Sequence, residues 1–227
     1  MRFTWIDYGL WLAAPLFQIG IVIAMLRRGL SREYPYFLNY TIFQIASTVF
    51  LLCVGKLASV YYYGYWATAA ISAILSLFVL WEVLREAVRS NETLRGFGAV
   101  LFRWLVLVVV LASGVWAVTR IGRGGSDDFT SVVLVADRGL RMIQLCLAFL
   151  VLLASDYVGI SRRQFIFGVA LGLALVAAVN LLMMVGLSHR GFWHPGDLRR
   201  LSLAAYDIAA LVWLSYATLT PLPNAVT

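Results

Sequence analysis

Four charged side chains stand inside or directly beside long apolar stretches of this chain. Asp137, Arg138 and Arg141 open the run "ADRGLRMIQLCLAFLVLLASDYVGI", and Asp207 lies within "LSLAAYDIAALVWLSYATL". A carboxylate among apolar residues can pair with a guanidinium group, help bind a ligand or ion in a polar cavity, or carry a proton. These residues are therefore the first candidates for chemistry.

Asp207 is the acid whose position most needs an explanation. A bare carboxylate near the centre of a spanning helix costs at least about 2.5 kcal/mol, so we expect Asp207 to be protonated, hydrated or paired. Arg138 and Arg141 are candidate partners, and Asp137 lies on the same helical face as Arg141 because the two are four residues apart. Three interpretations stay open: a buried ion pair that fixes helix register, a polar cavity for a ligand or ion, and a proton relay.

The elements that must position these residues are predicted to be membrane helices. Of the 227 residues, 62% are hydrophobic and 13% are charged, and the mean hydropathy is +0.87. Soluble domains are about half apolar and about a quarter charged. The composition therefore predicts one all-α domain, residues 1–227, that lies in the bilayer.

Seven stretches are long enough to cross it. A spanning helix needs about 20 mostly apolar residues, and the candidates are separated by segments that contain Gly, Pro or charge. They cover residues 5–26, 36–54, 60–83, 97–118, 140–158, 165–187 and 201–219. The sequence thus predicts a single bundle of seven transmembrane helices.

The distribution of basic residues predicts the orientation of this bundle. Arg27, Arg28 and Arg32 after the first helix outweigh Arg2 before it, which favours an amino terminus outside and a carboxyl terminus inside a bacterial inner membrane. Odd-numbered helices then run one way and even-numbered helices the other. On this parity the deep polar groups form one cluster in the outer half of the membrane: Asp137, Arg138, Arg141, Gln144, Asn180 and Asp207.

An aromatic run, "YYYGYW", would lie at the outer end of the third helix. Aromatic side chains form belts at the membrane interface, and this is the simpler interpretation. The alternative is an aromatic wall that faces a ligand, formed by Tyr61, Tyr65 and Trp66.

Three further patterns predict packing. Gly168 and Gly172 in "GVALG" have the small-xxx-small spacing that lets two helices approach closely, within the bundle or at a dimer seam. In "WEVLREAVR", Glu82 and Arg85 are three residues apart, which indicates a solvated end of the third helix. Gln18, close to a proline in the first helix, is expected to bond a carbonyl that the proline frees.

The scarcity of lysine and histidine in this sequence excludes several classes of membrane protein. The single lysine, Lys56, does not lie on the last helix, where a retinal protein holds its chromophore as a Schiff base. The only two histidines, His189 and His194, exclude bis-histidine haem stacks and three-histidine zinc hydrolases. His189, His194 and Asp197 could together hold a metal, but their loop contains Pro and Gly, and ordinary interfacial polar residues are the alternative.

No HExxH, GxSxG or P-loop pattern appears. The sequence therefore disfavours an enzyme and predicts no cofactor. The net charge of +7 is spread over the loops, which favours topology signals and contacts with anionic lipid over nucleic-acid binding.

Six segments resemble a family of seven-helix membrane proteins found in soil bacteria of the acidobacterial kind. They are "PLFQ" (15–18), "YYYGYW" (61–66), "LFRW" (101–104), "DRGLRMIQ" (137–144), "GISRRQFIFGVALG" (159–172) and "AYDIAALVWLSY" (205–216). The resemblance covers most of the chain. It implies seven helices and an acidic residue followed by Arg in the "DRGLR" segment, in agreement with an ion pair, but it implies no particular activity.

Three function classes stay open. The first is a non-enzymatic module that senses, binds or assembles, with the lipid bilayer and an unidentified protein partner or a second copy as its partners. The second is a transporter or channel for a small solute or proton, in which Asp207 and Arg141 couple or gate. The third is a lipid-modifying enzyme, for which the sequence contains no recognisable nucleophile, base or metal set. The one-sided polar cluster favours the first class over the second.

Overall fold

The computed structural model describes residues 5–55, 57–87, 164–188 and 195–219, together with the helical positions 100, 107, 142, 145 and 146. The long helices in those ranges are α1 (Trp5–Arg27), α2 (Pro35–Val54), α3 (Ala58–Ala87), α4 (Phe165–Ser188) and α5 (Pro195–Leu219). All five are long and apolar enough to cross a membrane. They correspond to the first, second, third, sixth and seventh predicted helices. The predicted helices 97–118 and 140–158 lie outside the described residues, apart from the single positions named above.

The predicted bounds match α1, α2 and α4 to within one residue, whereas α3 and α5 are longer than expected. α3 continues beyond Val83 to Ala87, and α5 begins at Pro195 instead of Leu201. Proline is favourable in the first turn of a helix, because the N–H that it lacks would have no partner there. Asp197 and Arg200, which the sequence placed in a loop, therefore lie in α5.

Contacts between α1 and α5 fix their relative direction. The two helices meet at three successive levels: Gln18 with Tyr206, Arg28 with Ala217 and, between them, Gly20 with Leu214. The residue numbers rise together along both helices. α1 and α5 are therefore parallel, as the odd and even parity of the predicted helices requires.

The end of α3 and the start of α4 lie at the same end of the bundle. Glu82, in the last turns of α3, accepts a hydrogen bond from the backbone of Phe37, at the start of α2. The ring of Phe165, the first residue of α4, packs edge-on against the ring of Phe37 at a centroid distance of 5.5 Å. An even number of crossings between α3 and α4, such as the two predicted ones, is compatible with this arrangement.

The turn between α1 and α2 depends on Gly29 and Arg28. Gly29 has a φ of 71°, a left-handed conformation that glycine adopts without a steric penalty. The Nη1 of Arg28 donates a hydrogen bond of 2.7 Å to the carbonyl oxygen of Ala217, and so satisfies a carbonyl in the last turns of α5. The basic residue that predicted topology thus also ties α1 to α5.

α4 and α5 pack at very short range through glycine. A methyl group on Gly168 would overlap the ring of Tyr216, and one on Gly172 would overlap the indole of Trp213. The α5 partner falls from 216 to 213 as the α4 position rises from 168 to 172, so the helices are antiparallel. The prediction of close packing within the bundle at "GVALG" is confirmed.

The outward faces of the helices remain apolar. Leu16 of α1 and Leu182 of α4 are each 67% exposed, although a soluble protein would bury residues of this type. In a bilayer such side chains face acyl chains at no cost. This distribution is that expected of helices embedded in a membrane.

We predict that Gly168→Ala and Gly172→Ala each destabilise the protein by about 1–3 kcal/mol, because the added methyl group overpacks the α4–α5 contact. The direction of the change in stability is informative, since a Gly→Ala substitution within an unobstructed helix stabilises the protein by about 0.5–1 kcal/mol. Gly9→Ala is the matched control, because nothing lies within 4 Å of the position that its Cβ would occupy. The Tm in detergent, followed by tryptophan fluorescence, tests this; equal Tm values for all three variants would contradict it.

A polar cavity as the candidate functional site

One face of each described helix contributes to a common cavity of about 400 Å³. Its lining positions recur every three or four residues along each helix, which places them on one side of that helix. The lining residues are Trp11, Ala14, Pro15 and Gln18 of α1; Tyr40, Gln44 and Thr48 of α2; Tyr65, Ala69, Ser72, Ala73 and Ser76 of α3; Leu173, Val176 and Asn180 of α4; and Ser202, Leu203, Tyr206, Asp207 and Trp213 of α5.

Polar side chains of the cavity join the helices in pairs. Gln18 Nε2 of α1 donates to the hydroxyl of Tyr206 in α5 at 2.6 Å. Gln44 Nε2 of α2 donates to Ser72 Oγ of α3 at 2.8 Å. Such bonds hold helices together where the surroundings offer no water as an alternative partner. The cavity therefore also acts as the polar seam of the bundle.

A third pair closes the end of the cavity where α4 finishes and α5 begins. Ser202 Oγ donates to Asn180 Oδ1 at 3.1 Å, and Asn180 Nδ2 donates to the carbonyl oxygen of Val176 at 2.8 Å. The Asn180 amide is thus held by a neighbour on each side. Its role in the described structure is to join α4 to α5 beside the cavity.

Asp207 differs from these polar residues because its carboxylate has no hydrogen-bond partner in the part of the chain that the structure describes. It lines the cavity and is only 7% exposed. Among the residues that the structure describes, neither carboxylate oxygen has a hydrogen-bond partner, and Gln18 Oε1 is likewise without one. No lining residue in the described ranges is a Lys, Arg or His. Burying a carboxylate in this way is unfavourable unless another group compensates.

An aromatic cluster closes the opposite end of the cavity. Trp213 and Phe37 are each about 1% exposed, and their rings meet edge-on at a centroid distance of 5.4 Å. Phe165 completes the cluster against Phe37, and Trp213 Nε1 donates to the carbonyl oxygen of Val169 at 3.3 Å. We call Phe37, Phe165 and Trp213 the aromatic floor, since they separate the cavity from the end of the bundle where α2 and α4 begin.

Glu82 holds one member of this floor in place. It is 3% exposed, and its Oε1 and Oε2 accept hydrogen bonds from the backbone N–H groups of Tyr36 and Phe37 at 3.1 and 3.0 Å. These N–H groups belong to the first turn of α2 and have no partner within their own helix. The prediction that Glu82 belongs to a solvated face is wrong. Its three-residue spacing from Arg85 is typical of a surface ion pair, but Glu82 instead caps α2.

The predicted site residues fall into three groups. Asn180, Asp207 and Tyr65 line the same cavity. Tyr61 is 40% exposed and stacks on Tyr65 at a centroid distance of 6.5 Å, and Trp66 packs edge-on against Tyr65; neither Tyr61 nor Trp66 lines the cavity. Asp137, Arg138, Arg141, Gln144, His189 and His194 lie outside the described residues, so the proposed pairing of Asp207 with an arginine stays a prediction.

His189 and His194, two of the three residues that could in principle hold a metal, lie outside the described residues. Asp197 lies in the first turn of α5. No group of three His, Cys, Asp or Glu residues within the described ranges could hold a metal ion.

Sequence reasoning assigned most of the lining to no site, including the polar residues Tyr40, Gln44, Ser72 and Tyr206, and it gave Gln18 a different partner. Gln18 bonds Tyr206 and not a backbone carbonyl. A signal for the α2 residues was present, because Tyr40, Gln44 and Thr48 recur every four residues in a largely apolar helix. A polar stripe on an apolar helix indicates a face turned toward other polar groups.

No family model, curated protein or solved structure matches this chain. The resemblance to seven-helix proteins of acidobacterial soil bacteria therefore stays a prediction.

We predict that Glu82→Ala destabilises the protein by about 1–3 kcal/mol, because two N–H groups of α2 lose their acceptor. Glu82→Gln should have a smaller effect, since the amide oxygen can still accept one bond. Thermal unfolding in detergent measures both. The control is Glu33→Ala, which removes an exposed acid near the same end of α2; an effect no larger than that of this control would contradict the capping role.

Proposed function

We propose that this protein is a non-enzymatic integral membrane protein that binds a small ligand in the cavity between its helices. The observation that carries the proposal is the carboxylate of Asp207, which is 7% exposed in the cavity wall and has no partner among the described residues. A buried acid of this kind is stabilised when a bound molecule supplies the missing donor. A small molecule that donates a hydrogen bond to Asp207 would therefore bind favourably in this cavity.

The dimensions of the cavity agree with a ligand of organic size. Its volume of about 400 Å³ falls within the range of about 300–1,000 Å³ that is typical of small-molecule sites. The lining also combines apolar and aromatic side chains with polar side chains from all five described helices, and polar groups of this kind could orient a bound ligand. A purely structural seam would bring its polar groups together and leave no space of this size.

The location of the cavity agrees with a sensing, binding or assembly role. With the amino terminus outside, as the basic residues predict, the cavity lies toward the outer half of a bacterial inner membrane and the aromatic floor lies toward the inside. A ligand would then enter from outside or from the outer leaflet. A second copy of the chain or a separate protein would transmit the signal.

A small-solute or proton transporter that uses Asp207 and Arg141 is the second candidate. The unpartnered Asp207 favours it, because intramembrane acids of transporters bind and release protons or ions. The aromatic floor weighs against it, since a path along the described helices would have to pass Phe37, whose ring packs edge-on against those of Phe165 and Trp213.

Filling the cavity should abolish ligand binding. Ala69 lines the cavity, whereas Ala67 is an exposed residue on the same helix. We predict that Ala69→Phe removes binding and that Ala67→Phe leaves it intact. The probes are a set of small aromatic amines, alcohols and carboxylic acids, measured by saturation-transfer NMR on protein in lipid nanodiscs. Fragment signals that respond equally to both substitutions, or no bound fragment at all, would overturn the proposed function.

A measurement of proton flux distinguishes the binding module from the transporter. For a binding module we expect liposomes that contain the protein to take up protons no faster than empty liposomes, measured with an internal pH-sensitive dye and a potassium diffusion potential. Asp207→Asn should then leave the rate unchanged. Faster uptake by the parent protein, lost in Asp207→Asn, would establish the transporter in place of the binding module.

A further inference from the structure

The charges of the cavity wall define the kind of ligand that would complete it. Asp207 is the one acid among the described lining residues, and that lining contains no Lys, Arg or His. Its two carboxylate oxygens and Gln18 Oε1 are hydrogen-bond acceptors without donors in the described structure. A ligand that matches this wall carries positive charge and N–H donors.

Aromatic rings surround the same space. Trp11, Tyr40, Tyr65, Tyr206 and Trp213 all line the cavity. The faces of such rings attract cations, and they do so most strongly where water is excluded. Two independent features, an unpartnered acid and an aromatic wall, therefore favour the same ligand charge.

An inorganic ion fits this lining less well than an organic one. Hard metal cations require about six or more oxygen ligands, whereas the described lining offers one carboxylate and a few amide and hydroxyl oxygens, several of which already bond to a neighbour. The volume of about 400 Å³ also exceeds what one bare ion would fill. The site lacks the ligands for an ion and has the space for a larger molecule.

We infer that the ligand is a small organic amine, bound as its ammonium ion, whose N–H groups donate to Asp207 and Gln18 and whose apolar part lies against the aromatic wall. This inference rests on the proposed function and names its ligand class. It differs from the buried ion pair, one of the three interpretations that the sequence leaves open, in which Arg138 or Arg141 would neutralise Asp207.

Two probes of equal shape test the ligand class. Benzylamine is a cation at neutral pH, and benzyl alcohol is its uncharged analogue. Their affinities are measured by calorimetry on protein in nanodiscs of zwitterionic lipid, which limits binding of the cation to the membrane itself. We expect benzylammonium to bind the parent protein more tightly than benzyl alcohol, by about tenfold or more, the ratio that 1.4 kcal/mol of added interaction produces.

Asp207→Asn should remove that preference, because it keeps the shape of the side chain and deletes its charge. Glu33→Gln makes the same chemical change at an exposed position away from the cavity and should leave both affinities unchanged. Gln18→Met, which deletes the second acceptor together with the amide that donates to Tyr206, should weaken benzylammonium binding less than Asp207→Asn does. Equal affinity for the two probes, or benzylammonium binding that survives Asp207→Asn, would overturn the inference.

Failure of the inference and failure of the proposed function give different results. If other fragments bind and Ala69→Phe removes them, while benzylammonium shows no preference, the cavity binds ligands of another class. If no fragment binds, both proposals fall. The Tm without ligand adds a further readout: Asp207→Asn should keep or raise it if the acid is unpartnered, whereas a fall in the Tm would point to an arginine as its permanent partner and contradict the inference.

Discussion

A polar group inside a membrane bundle must find its partner within the protein, because hydrocarbon supplies none. This constraint explains why the polar side chains of five apolar helices converge. Gln18 reaches Tyr206, and Gln44 reaches Ser72, each across a helix boundary. The outward faces need no such partners and carry only apolar or interfacial side chains. The distribution of polar side chains is thus the reverse of that in a soluble protein, because the polar groups face the interior of the bundle.

The same constraint makes Asp207 the informative exception. A polar seam with a purely structural role would be complete, since each missing bond in a buried network costs more than an apolar replacement would. Within the described ranges, hydrogen-bond acceptors on two neighbouring helices lack donors. They are both carboxylate oxygens of Asp207 on α5 and Oε1 of Gln18 on α1. Proteins keep unfavourable groups of this kind where function depends on them. This incompleteness is the observation that supports the proposed ligand.

Sequence reasoning predicted the described helices well and the site only in part, for a physical reason. The length and hydropathy of a segment directly indicate whether it can cross a bilayer, so the predicted ends of α1, α2 and α4 match the observed ones. The start of α5 was missed because Pro195 and its neighbours resemble a loop, although proline also begins helices. Glu82 was misassigned because its spacing from Arg85 fits a surface pair, and only the three-dimensional arrangement places it against α2. Periodicity can show which face of a helix is polar, but which other helix that face meets depends on tertiary packing.

The two ends of the cavity differ in a way that supports the proposed binding role over transport. At one end, Ser202 and Asn180 join α4 to α5 by a hydrogen bond of 3.1 Å between their side chains. At the other, Phe37 is held by the Glu82 cap, and Trp213 packs on α4 where Gly172 leaves no space for even a methyl group. Opening the floor would require both the loss of the buried hydrogen bonds to Glu82 and the separation of closely packed helices. This contrast between a polar end and a closely packed aromatic end supports the proposal that a ligand enters and leaves on the same side.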